Sequence, residues 1–272
     1  MQNFSTSPIN MFTNLYKNRE LISASVKREV LGRYRGSILG LLWSFFNPLI
    51  MLAVYTFVFS TVFNARWGSS SQSQTEFALV LFAGLIIFHL FAECITRAPL
   101  LILQNTSYVK KVIYPLEILP FVSLLAALFN SIISFGVWLL AYLLIFGLPH
   151  ATVLYLPFIL LPFLFLLMGF SWALAALGVY LRDISQIVGV FTTMLMFLSP
   201  IFYPITALPE KYRHLILFNP LASIIEQVRG VLYFGKPPLL DQLAIYWMVT
   251  LLVAWVGFFF FQKMRKGFAD VL

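Results

Sequence analysis

The stretch GRYRGSILGLLWSFFNPL, Gly32 to Leu49, joins two solvents. Arg33 and Arg35 straddle Tyr34, and from Gly36 to Ala65 no charged residue appears. A helix needs roughly 20 apolar residues to cross the hydrocarbon core of a bilayer. The run after Arg35 is long enough, so the arginines mark a membrane edge. Trp43, Asn47 and Pro48 fall one to three turns beyond that edge.

The rest of the chain agrees. It has 272 residues, of which 61% are hydrophobic, 17% aromatic and 10% charged. Soluble domains carry about a quarter charged residues, so this composition points to an integral membrane protein. The net charge of +8 does not indicate nucleic acid, because the cations sit at the ends of apolar runs. Topology and anionic headgroups account for that placement. A single cysteine, Cys94, excludes an internal disulfide framework. The first apolar run is too long for a signal-peptide core and lacks a small-x-small cleavage site, so no cleavable signal is expected.

Six spans are expected, at about residues 38–63, 77–103, 119–148, 153–181, 184–199 and 243–261. In the second, Glu93 and Arg97 are one turn apart and can pair. With the N-terminus inside, the inner segments hold 13 of the 18 Lys and Arg. Arg66, Lys211, Arg213, Arg229 and Lys236 remain outside. The positive-inside rule therefore favours two cytoplasmic termini. The resulting organisation is a tail and surface helix over 1–36, a transmembrane domain over 37–262 and a cytoplasmic tail over 263–272.

Four segments are read as non-spanning, of which GSSSQSQ, Gly68 to Gln74, reads as a flexible polar turn. Residues 10–35 place Leu15, Ile22, Val26 and Val30 at helical spacing, interrupted by Arg19 and Arg33, as in an amphipathic helix lying on the membrane or in a solvated tail. The loop QNTSYVKKVIYPLEI, Gln104 to Ile118, mixes charge with Val109, Val112, Ile113 and Leu116. It reads as a docking surface, or as a second interfacial helix. Between Ser199 and Pro238 six prolines interrupt two apolar pieces, 201–208 and 221–234, too short to span. They suit a re-entrant hairpin over 200–234, tolerated where protein or water surrounds it, or an amphipathic cap.

Absent chemistry narrows the function. Gly235-Lys236 is followed by two prolines, so there is no P-loop. No G-x-S-x-G occurs, and His89, His150 and His214 have no metal-pair spacing; no metal ligands are assigned. His89 is expected to be a hydrogen-bonded packing residue. No acidic pair suggests a membrane-embedded glycosyl- or acyltransferase. Spans nearly free of carboxylates also disfavour ion-coupled transport. Tyr55, Phe59, Trp138, Tyr142, Trp172 and Tyr203 offer apolar faces, most with polar tips, suited to lining a path for sugars or to packing in a core and belt.

The motifs REVLGRYRGSILGLLWSFFNPL, NTSYVKKVIYPLEILP, Arg182-Asp183 and SPIFYPITALPEKYRHLILFNPLASIIEQVRGVL, in this order over nearly the whole chain, resemble the ABC-2-type permeases of bacterial surface-polysaccharide exporters, most closely those for O-antigen. The resemblance implies an all-α inner-membrane subunit without its own ATPase. It would form a homodimer with two P-loop ATP-binding subunits, which would bind ATP and Mg. The cargo would be a glycan on undecaprenyl diphosphate; capsule, teichoic acid, drug or small-lipid export are the related alternatives. Arg33, Tyr34, Arg35 and Trp43 would form a cytoplasmic gate at headgroup level. Asn105, Tyr108, Val109, Lys110, Lys111, Val112, Tyr114, Pro115 and Glu117 would form the coupling helix docked on the ATPase. Pro200, Phe202, Pro204, Pro209, Asn219, Pro220, Glu226 and Arg229 would belong to an outer gate.

Overall fold

The computed structural model of the chain describes residues 7–62, 67, 74–110, 114–217 and 219–272. Among them every regular element is helical. Helices α1 (Pro8–Lys17) and α2 (Arg19–Arg33) are separated at Asn18, whose side-chain amide donates to the Asn14 carbonyl at 2.7 Å. The chain then turns at Gly36, where φ is +85°, a conformation that costs glycine little. A 3₁₀ turn over Gly40–Leu42 leads into α3 (Trp43–Tyr55), which widens into a π-helical stretch over Thr56–Val62.

Helix α4 (Gln74–Arg97) is the core of the bundle, with residues such as Val80, Leu81 and Ala83 fully enclosed. Helix α5 (Thr106–Lys110) is a short connector to α6 (Ile118–Phe146). Helices α7 (Leu156–Tyr180) and α8 (Ile184–Leu198) follow. The later part holds α9 (Glu210–Leu217), α10 (Pro220–Leu232), α11 (Leu240–Met264) and α12 (Phe268–Val271).

Five helical segments among the described residues are long and apolar enough to cross a membrane. The protein is a multi-pass integral membrane protein. The fifth of the six expected spans is α8, with 15 residues. At about 1.5 Å per residue it measures about 22 Å, short of the ~30 Å core.

Small residues let the long helices approach closely. A Cβ added at Gly257 would lie 2.1 Å from the Gly169 carbonyl oxygen, and one at Gly169 would lie 2.4 Å from that of Val253. Helices α7 and α11 therefore touch backbone to backbone, the arrangement that small residues permit in membranes. Two buried indoles fasten the interior: Trp138 donates to the Leu79 carbonyl at 2.9 Å, and Trp172 to that of Glu117 at 2.8 Å.

The proline-rich segment departs from expectation in its first half. Residues 201–208 contain only a 3₁₀ turn over Ile205–Ala207, not a half-length helix. Pro204, with φ −73° and ψ 147°, and Pro209 hold the flanks away from continuous helix. The second piece is helical as α10, capped by Asn219, whose side chain accepts from the Leu221 amide, with Pro220 in the first turn. The turn Gly68–Gln74 lies almost wholly outside the described residues.

Candidate gate and coupling site

The end of α2 is tied to α4 by alternating charges. Arg33 pairs with Glu93, and Arg97 pairs with Glu29 at 2.8 Å. Arg33 also approaches Glu29 at 3.5 Å, and Arg97 approaches Glu93 at 3.6 Å. Glu29 and Arg33 are one turn apart on α2, as Glu93 and Arg97 are on α4, so two helical pairs face each other. Arg33 is therefore committed to carboxylates, whereas Arg35 is exposed. Because the four side chains are only partly exposed and act as a network, their coupling should exceed that of an isolated surface pair. Arg33→Gln and Glu93→Gln should show a coupling of about 1 kcal/mol in a double-mutant cycle read by thermal unfolding in detergent. Strict additivity would mean that the pair holds nothing.

Next to this latch, Tyr34 donates to Asn130 Oδ1 at 3.5 Å. Burial pushes the Tyr34 phenol up, and the charge of Arg33 opposes that shift. Tyr34 thus stays a neutral donor. It closes one side of a cavity of about 330 Å³ between α3, α4 and α6. Asn47, Pro48, His89, Glu93 and Ser131 also line it. His89 was expected to be a packing residue, but it faces this chamber. Trp43 is half-buried at the start of α3 and does not line the chamber.

The coupling segment is wired to both ends of the chain. Arg28 donates to the Tyr108 hydroxyl at 2.9 Å, Ser25 and Tyr114 exchange a hydrogen bond at 3.4 Å, and the Tyr108 and Tyr114 rings stack at 4.3 Å. Asn14 donates to Glu117 Oε1 at 3.2 Å, while Arg265 pairs with Glu117 Oε2. Lys110 donates to the Leu272 carbonyl, and Asn105 to that of Leu101 at 2.8 Å. Glu117 is thus a buried hub between α1, α6, α7 and α11.

One coupling expectation is corrected. Leu116 is buried and Val109 half-buried against the chain's own core, so they are not a free apolar face. Tyr114 is also buried and Pro115 half-buried. The surface left for a partner includes Ser107 and Lys110. Lys111 and Val112 lie outside the described residues.

The aromatic set divides in two. Trp138 and Trp172 are about 1% exposed, and Tyr142 is also buried, stacked on Trp138 at 5.1 Å. All three lie in the chain's own core, where the Trp138 and Trp172 indoles donate to carbonyls and the Tyr142 ring packs against Trp138. At the other end, Phe59 sits 6.2 Å from Phe202, which sits 6.0 Å from Phe197, and Tyr203 donates to the Phe197 carbonyl at 3.2 Å. Tyr55 is half-buried one turn before Phe59.

Beside these rings lies Arg229, about 1% exposed. It donates to the carbonyls of Val80 at 2.9 Å, Ile201 at 2.7 Å and Pro200, approaches Glu226 at 3.3 Å, and lies 4.3 Å from the Trp67 ring. Gly84 makes room for it, since a Cβ there would lie 2.5 Å from Arg229 Nη2. Asn219 Nδ2 donates to Ser199 Oγ at 2.9 Å, so the proline segment is pinned at both ends. Sequence reasoning missed Glu29, Asn130 and Trp67 entirely, and it treated Arg265 only as an orienting charge. The Glu29–Arg33 spacing was an available signal; the others pair across long stretches of chain.

The sequence profile of the family described as ABC-2 type transporter matches residues 20–233. The chain belongs to the ABC-2 type transporter family. The match runs from α2 through residues 104–118 to the end of α10. An ABC-2 permease of this kind is a transport subunit that works with an ATP-binding partner. The chain is 28% identical over 264 residues to the O-antigen export system permease protein RfbA of Myxococcus xanthus, covering 96% of this chain and 99% of the relative. It is 26% identical to the Klebsiella pneumoniae protein of that name, covering 93% and 95%. It is 23% identical to the polysialic acid transport protein KpsM of Escherichia coli, covering 85% and 90%.

Proposed function

We propose that this ABC-2 chain is the membrane subunit of an ATP-driven exporter that moves a lipid-linked polysaccharide of the O-antigen class across the bacterial inner membrane. The observation that carries this reading is the near end-to-end similarity to O-antigen export permeases. Two copies would form the passage with two ATP-binding subunits, which supply ATP and Mg. Exposed apolar side chains on α8, among them Ile187, Val190 and Phe191, suit a second copy or lipid. Counting α8 with its flanking residues as a sixth span puts both termini in the cytoplasm, as the Lys and Arg distribution favours. Arg35 would then stand at headgroup level, where a guanidinium meets the diphosphate of an undecaprenyl carrier.

ATP-driven closure of the partner would push on the exposed side of the coupling segment. The Tyr108 and Tyr114 contacts would pass that displacement to α2, and the Glu117 hub would pass it to α11. The two ends of the chain bias one two-state arrangement in this reading.

Deletion of the gene should abolish surface polysaccharide and leave lipid-linked glycan inside the cell. Normal surface glycan in the deletion would overturn the reading. The similarity to KpsM keeps capsule export as the second reading, and analysis of the retained glycan decides between them. Ser107→Trp should reduce co-purification of the ATP-binding subunit at least about tenfold while leaving permease abundance intact. Leu116→Asp should instead lower permease abundance, because it buries a charge in the chain's own core. Equal co-purification by wild type and Ser107→Trp would remove this surface from the docking site.

A further inference from the structure

We propose that the groove between α2 and α6 is a binding site for one anionic phospholipid, with an acyl chain in the groove and the phosphate between Arg19 and Lys27. On one wall α2 continues the face begun by Leu15 with Ile22, Val26 and Val30, and on the other α6 presents Phe121 and Leu125. The walls enclose about 620 Å³. Leu31 and Leu41 line the same groove and remain 50% and 42% exposed.

Position determines what can fill this space. Phe121 to Phe129 lie in the first half of a 29-residue helix long enough to span the bilayer. One wall therefore stands within about 20 Å of the membrane edge. The other wall is α2, whose exposed cations suit a helix on the membrane surface. A groove bounded in this way opens to lipid chains, and an apolar cleft of this size left to water would expose hydrophobic surface.

Charge selects the headgroup. The two cations of the lining, Arg19 and Lys27, are both exposed, and no carboxylate is among the lining residues. They are eight positions apart on α2, about 12 Å along its axis. Long side chains from both can reach toward a phosphate lying between them. Arg19 is steadied by Tyr16, donating to its carbonyl at 3.4 Å and lying 4.9 Å from its ring. Glu29 is turned toward Arg33 and Arg97 instead. Basic pockets beside membrane helices on the cytoplasmic side bind anionic headgroups in this way. The inference does not depend on what the chain transports.

The test is native mass spectrometry of the full-length chain with its ATP-binding partner, after delipidation and exposure to equal phosphatidylglycerol and phosphatidylcholine. Wild type should retain phosphatidylglycerol preferentially. R19Q with K27Q, both exposed and harmless to packing, should lower that preference about tenfold or more. V26W should fill the groove and displace both lipids. Unchanged preference in R19Q with K27Q would overturn the proposal. So would displacement of phosphatidylglycerol by a stoichiometric amount of polyprenyl diphosphate, which would make this the carrier's site. Disulfide crosslinking between two copies at L31C would also overturn it, since a second copy would then cover the groove.

Discussion

Arg229→Leu should leave little folded permease in the membrane. The substitution keeps an apolar stem but removes every donor from a site where the side chain is about 1% exposed. Val80 lies inside α4, but the Pro200 and Ile201 carbonyls lie outside any helix and depend on this guanidinium. Each buried carbonyl left without a donor costs about 1–3 kcal/mol, and loss of the contact with Trp67 adds about 1 kcal/mol. The total of about 3–7 kcal/mol is a large part of the stability of an ordinary domain. Arg229→Lys should recover part of it, since an ammonium keeps donors but not the planar fork. Gly84→Ala attacks the same site from the opposite side by pushing a methyl group against Nη2. Membrane abundance and the unfolding midpoint in mild detergent read both effects. A wild-type midpoint in Arg229→Leu would show that the carbonyl cage stabilises nothing.

The same arginine shows where sequence reading stops. Arg229 and Glu226 were assigned to an outer gate on resemblance, and Arg229 was counted among the outside cations. No local pattern reveals that its partners are carbonyls from a proline-rich turn some thirty residues earlier and from α4. Long apolar runs, in contrast, were legible, because span length follows from bilayer thickness and not from tertiary contacts. The α2–α3 joint was legible for a similar reason: charge stops at Arg35, and Gly36 permits a left-handed turn. The Glu93–Arg97 pair could be read from i,i+4 spacing, whereas Arg33–Glu93 required the fold.

The aromatics failed in a different way. Trp138 and Tyr203 look equivalent in sequence, since each joins an apolar face to a polar tip. Their roles separate only when Trp138 finds the Leu79 carbonyl in the core and Tyr203 finds that of Phe197 at the edge of the proline segment. In the coupling segment, hydrophobic Leu116 was read as an exposed docking surface. Burial of a loop residue depends on which termini fold back over it, and here α1, α11 and α12 do so.

That arrangement makes Glu117 the second site of large effect. Its carboxylate receives Asn14 from α1 and Arg265 from the end of α11, while its carbonyl receives Trp172. Glu117→Ala leaves Arg265, about 13% exposed on its side chain, without its carboxylate. Breaking a buried pair from one side costs about 3–5 kcal/mol, so the unfolding midpoint should fall sharply. Removing both partners with Glu117→Ala and Arg265→Met should recover much of that loss, since the desolvation of the guanidinium is removed with it. Glu117→Gln is the informative functional variant. It keeps the shape and one acceptor, loses the charge facing Arg265 and should be destabilised less than Glu117→Ala, so hydrolysis and export are compared per folded permease. If the hub carries displacement from the coupling segment to α1 and α11, ATP hydrolysis by the complex should persist while surface glycan falls several-fold. Stability loss alone would lower both totals together. Parallel loss of hydrolysis and export in Glu117→Gln would assign Glu117 to scaffold only.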